Sequence, residues 1–361
     1  MKYHVSTNGK PAYLQLYEGL RKKIEQGVFC YGAKLPSKRM LAEEAGVSVI
    51  TVQHAYAILC EEGYIESKQR SGYFVSYRDS DFVPVTAKNQ VTHPLQKTSL
   101  HTHKKSEFPF SVLAKTMWKV LLDYNKEILI KSPNKGCAEL RAAISAYLKR
   151  SNGISVKPEQ IVIGAGAEYL YSLIVQLLGE HRGVALEDPS YEKIYKVYEA
   201  NGVTCEMLRL GQDGILSSEL EKTSASVLHV TPFHSYPSGV TASVSKRLEY
   251  LNWARSRNGY IIEDNYDSEL TVSTKHEDAL FSMEENAPVI YLNTFSHTIA
   301  PSMRVGYMVL PEQLLTLFEE QLGFYSCTVP VFEQYVLAEL INSGDFERHI
   351  NRVRRERRKE K

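Results

Sequence analysis

The sequence has no paired-cysteine pattern. Its five cysteines (Cys30, Cys60, Cys137, Cys205, Cys327) are scattered, odd in number and free of any C-x-x-C. This excludes a disulfide framework and a zinc site of the usual spacing, and it suits a reducing cytosol. No apolar run approaches a membrane span, and Met1-Lys2-Tyr3-His4 does not open a signal peptide. The expectation is a cytoplasmic chain with no membrane partner. An excess of one charge sign is missing too, since 43 Lys+Arg against 42 Asp+Glu leave +1. That balance hides an asymmetry: residues 1–78 hold 11 basic and 7 acidic residues, an excess of four, which leaves −3 for the remainder. A basic first segment suits a polyanion such as nucleic acid, although four charges alone carry little weight. What is present is globular: 43% hydrophobic, 24% charged, and 361 residues, enough for two or three cores.

Pro11 stands where a first helical turn tolerates it, and Tyr13, Leu14, Leu16, Tyr17, Leu20 and Ile24 mark an apolar face up to Gly27. Ser37 is placed to cap a helix carrying Met40, Leu41 and Ala45. Gly46-Val47-Ser48 then makes a turn into a second helix, Val49 to Glu62, that buries Val52, Ala55, Ile58 and Leu59. Two short helices across a glycine turn predict a helix-turn-helix. Residues 64–75 alternate like a hairpin with a basic turn, Lys68-Gln69-Arg70, so the unit reads as a winged helix.

The segments LPSKRMLAEEAGVSVITVQHAYAILCEEGYI and SGYFV resemble the GntR-type winged-helix domain of bacterial transcription regulators. The resemblance implies double-stranded operator DNA as partner. Arg39, with Lys38 beside it, matches the phosphate-contacting arginine; Thr51, Gln53 and His54 fall on the DNA face of the recognition helix; Lys68 and Arg70 lie in the wing. Two departures stand out. Val49-Ile50 replaces the usual basic residue and its polar neighbour after the turn serine, and Arg70 occupies the first glycine position of the wing.

Residues 77–107 show no hydrophobic period and contain Pro84 and Pro94 without glycine, which predicts an extended solvated linker between a domain at 1–76 and another at 108–361. His101 and His103 lack a nearby cysteine or acid, so they read as part of that polar run and not as metal ligands. Beyond Phe108, helices alternate with short apolar strands at 160–163, 183–186, 204–208, 227–230, 260–263, 289–292 and 304–310. Such alternation predicts a mostly parallel sheet wrapped by helices, with ligands at the carboxyl ends of the strands.

Unusual residues collect at those ends. Gly164-Ala165-Gly166-Ala167-Glu168 opens a helix and can offer N–H groups to a phosphate. EDPSY (187–191), TPFHSYPSG (231–239), IIEDNYDSE (261–269) and TFSHTIAPSMRVGY (294–307) follow later strands. Taken in order, these resemble the aminotransferase-like domain of MocR-type regulators, a GntR subfamily fused to a fold-type I pyridoxal 5'-phosphate (PLP) domain. The resemblance covers nearly the whole chain. It implies a winged helix-turn-helix (α+β) followed by a three-layer α/β aminotransferase-like domain. By the same analogy Asp264 pairs with the pyridine nitrogen, Tyr266 meets the ring hydroxyl, Tyr191 stacks on the ring, and Gly166, Ala167, Thr294 and Arg304 bind the phosphate.

The family's cofactor lysine is replaced by His297, seven residues before Arg304. Imidazole supplies no primary amine for a Schiff base, so the expectation is a pseudoenzyme that holds PLP without a covalent bond or has lost it. The basic stretch after Phe346 matches a family helix that leads to a C-terminal subdomain carrying a carboxylate-binding arginine, and that subdomain and arginine are expected to be missing here, as is most of the arm before Glu107. The resemblance further implies a head-to-tail homodimer and an amino-acid-like effector. The rival readings are a PLP-dependent aminotransferase and a non-functional truncated gene remnant.

Overall fold

The computed structural model describes residues 10–78, 108–179, 181–271 and 278–360; most of the expected linker, with His101 and His103, lies outside the described residues. The chain separates into two compact units, Met1–Thr98 and Ser99–Lys361.

In the first unit, α1 (Ala12–Glu25) buries Leu16, Tyr17, Leu20 and Ile24, the i, i+4, i+8 stripe of one helix face. Ser37 Oγ accepts from the Met40 N–H at 3.2 Å and starts α2 (Lys38–Ala45). Gly46 ends it in the left-handed region (φ 65°), which a side-chain-bearing residue adopts only at a cost. Ser48 repeats the cap on Thr51 N–H (3.1 Å) and opens α3 (Val49–Glu61). An antiparallel hairpin, β1 (Ile65–Lys68) and β2 (Gly72–Val75), completes the wing, with Ile65 opposite Val75. One expectation for the core changes, at Ile58, and one apolar residue of α2 lies outside the core. Met40 is 48% exposed, because Leu41, Ala42 and Ala45 define the inward face and position 40 turns away from it. Ile58 is half-buried, and Tyr56 takes the deeper place, its hydroxyl donating to Pro36 O at 2.8 Å. Tyr77 stacks on Tyr64 with ring centroids 5.3 Å apart, so it packs on this unit.

The second unit begins with α4 (Phe110–Tyr124) and α5 (Ala138–Asn152). Then β3 (Ile161–Gly164), α6 (Ala167–Leu178), β4 (Val184–Asp188), α7 (Glu192–Ala200) and β5 (Cys205–Arg209) follow. Next come α8 (Ser217–Lys222), β6 (Val227–Val230), α9 (Val244–Ser256), β7 (Tyr260–Asp264), α10 (Leu280–Met283) and β8 (Val289–Thr294). The last elements are β9 (Gly306–Val309), α11 (Leu315–Leu322), α12 (Val331–Asn342) and α13 (Asp345–Glu360). The sheet order is β3-β9-β8-β7-β6-β4-β5. Only β9 runs against its neighbours; the β8, β7, β6, β4 and β5 pairings are all parallel. Alternation along β8 fixes the layers: Ile290 and Leu292 pack with residues of α6, α7 and α11, while Val289 and Tyr291 face the opposite helical layer. The sheet is therefore covered on both faces, which is why its strands are nearly continuous apolar runs.

Candidate functional site

The carboxyl ends of β7 and β8, the start of α6 and part of α13 enclose a cavity of about 460 Å³. Ala167, Tyr191, Asp264, Tyr266, Thr294 and Arg304 all line it, as does His297. Gly166 caps α6 at φ 88°, and a Cβ built there would stand 2.9 Å from Arg304 Nη2, so the guanidinium lies against the glycine. Arg304 lies between the Pro301-Ser302 turn and β9; the expected strand from 304 begins two residues later. From there Arg304 donates to the Glu168 carboxylate, whose other oxygen is 3.3 Å from Lys193 Nζ.

Asp264 is 3% exposed at the end of β7. It accepts hydrogen bonds from the Tyr171 hydroxyl and from Tyr266 N–H (3.1 Å), and His229 Nε2 lies 3.6 Å away. On its other side His229 Nδ1 shares a 2.8 Å hydrogen bond with the Tyr198 hydroxyl. Burial, reinforced by the Asp264 charge, holds the Tyr171 and Tyr198 hydroxyls well above their ordinary pKa, so both remain protonated. Tyr266 is pushed up to about 12, first by burial and then by Asp267 and Asp264. Its ring meets His297 edge to face at 5.4 Å. Tyr191 is half open to solvent and meets Tyr236 edge to face at 5.9 Å. Thr294 Oγ1 accepts from Ser296 N–H at 3.1 Å, and Thr298 O lies 2.8 Å from His349 Nε2 of α13, which ties down the loop that carries His297.

Several residues in the wall or behind it carry little signal of their own in the sequence. Tyr171 and His229 look like ordinary core positions, and Lys193 and Glu168 look like surface charges. Arg357, from the basic stretch of α13, also lines the cavity and donates through Nη1 to Leu270 O at 2.9 Å, with Asp267 Oδ2 at 3.5 Å. Among the described residues, no group of three His, Cys, Asp or Glu could hold a metal ion, and no helix is long and apolar enough to cross a membrane.

In the first unit Gln53 and His54 are exposed on α3, and Thr51 is half-buried. Lys38 Nζ is 3.5 Å from Gln53 Oε1, which links α2 to α3, while Arg39 points to solvent. His54 packs edge-on to Tyr13 of α1, with centroids 5.9 Å apart. Lys68 pairs with Glu66 (3.0 Å) and lies 4.9 Å above the Phe74 ring. Arg70, at the hairpin turn, has φ 60°, the backbone conformation a glycine adopts freely.

Residues 12–75 match the family of bacterial regulatory proteins, gntR family, and residues 102–361 match aminotransferase class I and II. YdeL, an HTH-type transcriptional regulator of Bacillus subtilis (strain 168), is 36% identical over 97% of this chain and 78% of its own length. The chain belongs to the MocR-type subfamily of GntR regulators. The probable rhizopine catabolism regulatory protein MocR of Rhizobium meliloti is 29% identical over 96% of this chain and 74% of its own. Among solved structures, an archaeal alanine:glyoxylate aminotransferase superposes with a TM-score of 0.62 at 25% identity. That match covers 67% of this MocR-type chain, which spans 62% of the aminotransferase. Relatives of this kind are HTH-type regulators, and their aminotransferase-like part is a domain of a regulator.

Proposed function

We propose that this MocR-type chain binds operator duplex in the cytoplasm as a homodimer through Lys38, Arg39, Thr51, Gln53, His54, Lys68 and Arg70. We further propose that residues 108–361 hold PLP without a covalent bond and transfer no amino group. The wall of the cavity fits a phosphorylated pyridine. The absent Cβ of Gly166 admits the Arg304 guanidinium against the start of α6, and Ala167 and Thr294 complete an anion-binding corner. Asp264 offers a buried carboxylate to a ring nitrogen, with His229 and Tyr171 fixing its orientation. When bound, PLP supplies an electron-withdrawing ring; its usual anchor is a lysine amine.

The observation that carries this reading is His297, which lines the cavity, meets the Tyr266 ring edge to face and offers an imidazole in place of a primary amine. Lys193, the lysine in the wall, is paired with Glu168, and that ion pair keeps its amine protonated. The remaining residues bind and orient; none donates an electron pair to the ligand's aldehyde. Arg357 supports an effector bearing a carboxylate. The test is to load the full chain with PLP, reduce with borohydride, and map adducts by mass spectrometry beside a dialysed sample. Dialysis should strip the ligand and no lysine should carry a pyridoxyl group. An adduct at Lys193, or measurable amino-group transfer, would overturn the reading.

A further inference from the structure

The face of α3 that points to solvent is not uniformly polar. Val52, Ala55, Tyr56 and Leu59 form its buried stripe. Opposite them, Ile50, Gln53, His54 and Ala57 are exposed at i, i+3, i+4 and i+7, a single surface stripe of the helix. Ile50 lies at the start of that stripe with 68% of its surface in water, and Val49 beside it is 42% exposed. Packing within the winged unit does not explain a branched apolar residue there. The patch is framed by cations: Lys38 reaches across to Gln53, and Arg39 faces solvent on the adjoining helix. This combination is ill-suited to an apolar protein partner, for which the surrounding charge would have to be desolvated. It is complementary to duplex DNA, whose phosphates take the cations and whose major groove presents one apolar feature, the C5-methyl of thymine.

We propose that Ile50 reads a thymine methyl group in each operator half-site, beside a base pair read by Gln53. The first residues of a recognition helix are the ones that meet base edges, and Ile50 occupies the second position of α3. A glutamine side chain pairs two-fold with adenine N6 and N7, so an A·T-containing step serves both residues at once. Packing the isoleucine against the methyl removes apolar surface from water on both sides. This inference rests on the DNA-binding reading.

The test uses the full chain. A site is first selected from a random duplex library; each thymine in it is then replaced singly by deoxyuridine, which lacks only the methyl group. One thymine per half-site should weaken binding about three- to tenfold on replacement. Ile50→Ala should bind the thymine and uridine duplexes alike, within about 1.5-fold, while Ile50→Val keeps part of the discrimination. The isoleucine is largely exposed, so both variants should match the parent in thermal unfolding. A selected site in which no thymine is sensitive, or equal sensitivity in Ile50→Ala, would sink this inference and leave the regulator reading intact. Failure to select any site would remove both.

Discussion

Glu263 and Glu269 are buried carboxyls at the end of β7 and just beyond it, and burial pushes both up to about 7. Glu263 accepts from Leu280 N–H (3.0 Å) and Phe281 N–H (2.9 Å); Glu269 accepts from Asn293 Nδ2 at 2.6 Å, next to Thr294 of the cavity wall. Well below pH 4.5 each is neutral in the folded and unfolded chain alike and costs nothing. As pH rises from there toward 7, the unfolded carboxyl ionises while the folded one stays neutral. Stability therefore falls through that window and levels off above it. A carboxyl carried from 4.5 to about 7 costs the fold about 3 kcal/mol at neutral pH. His349 works in the opposite sense: burial first, and Arg352 next, lower its pKa, so its contribution is lost as pH falls below 6.5. Glu269→Gln separates the two, because it keeps an acceptor for Asn293 and removes only the titrating proton. Urea unfolding at about pH 5 and about pH 7.5 should show the variant more stable than the parent by up to about 3 kcal/mol at the higher pH and little changed at the lower. An unchanged difference between the two pH values would refute the assignment of a buried, neutral Glu269.

Arg39→Ala should weaken binding to all duplexes and flatten the salt dependence by about one charge, whereas Gln53→Ala should mainly alter sequence preference; fluorescence anisotropy over a salt series distinguishes them. Gly166→Ala brings a Cβ to 2.9 Å from Arg304 Nη2 at φ 88°, so PLP affinity in equilibrium dialysis should drop at least about tenfold, with a loss of about 1–2 kcal/mol in stability. Arg70→Gly relieves the left-handed backbone at the wing tip and should raise the first unit's stability by roughly 1 kcal/mol while lowering DNA affinity, readable by thermal melting and anisotropy.

Much of this molecule is legible in its sequence because local chemistry and global fold agree. Ser37 and Ser48 announce their helices by the hydrogen bonds they make, and Gly46 announces the turn by its backbone conformation. The residues at strand ends are legible as a set because each ends an apolar run at the same edge of a parallel sheet. What is not legible depends on distance in the chain. A four-residue strand such as β9 reads the same in either direction, so its antiparallel pairing with β3 and β8 comes only from the tertiary arrangement. Tyr171, Tyr198 and His229 lie on α6, α7 and β6, and only the stacking of these elements turns three core residues into a network behind Asp264. Arg357 looks like one more charge in a basic helix until the fold sets that helix against the loop after β7.

In the proposed function, the cavity holds a phosphorylated pyridine while position 297 withholds the amine. His297→Lys tests it most directly, read by visible absorbance and borohydride trapping after PLP addition. The parent chain should show no visible chromophore and no trapped lysine, and the variant a weak visible band with a pyridoxyl group trapped at residue 297, without amino-group transfer. A chromophore in the parent chain, or a variant that binds PLP yet traps nothing at residue 297, would contradict the proposed function.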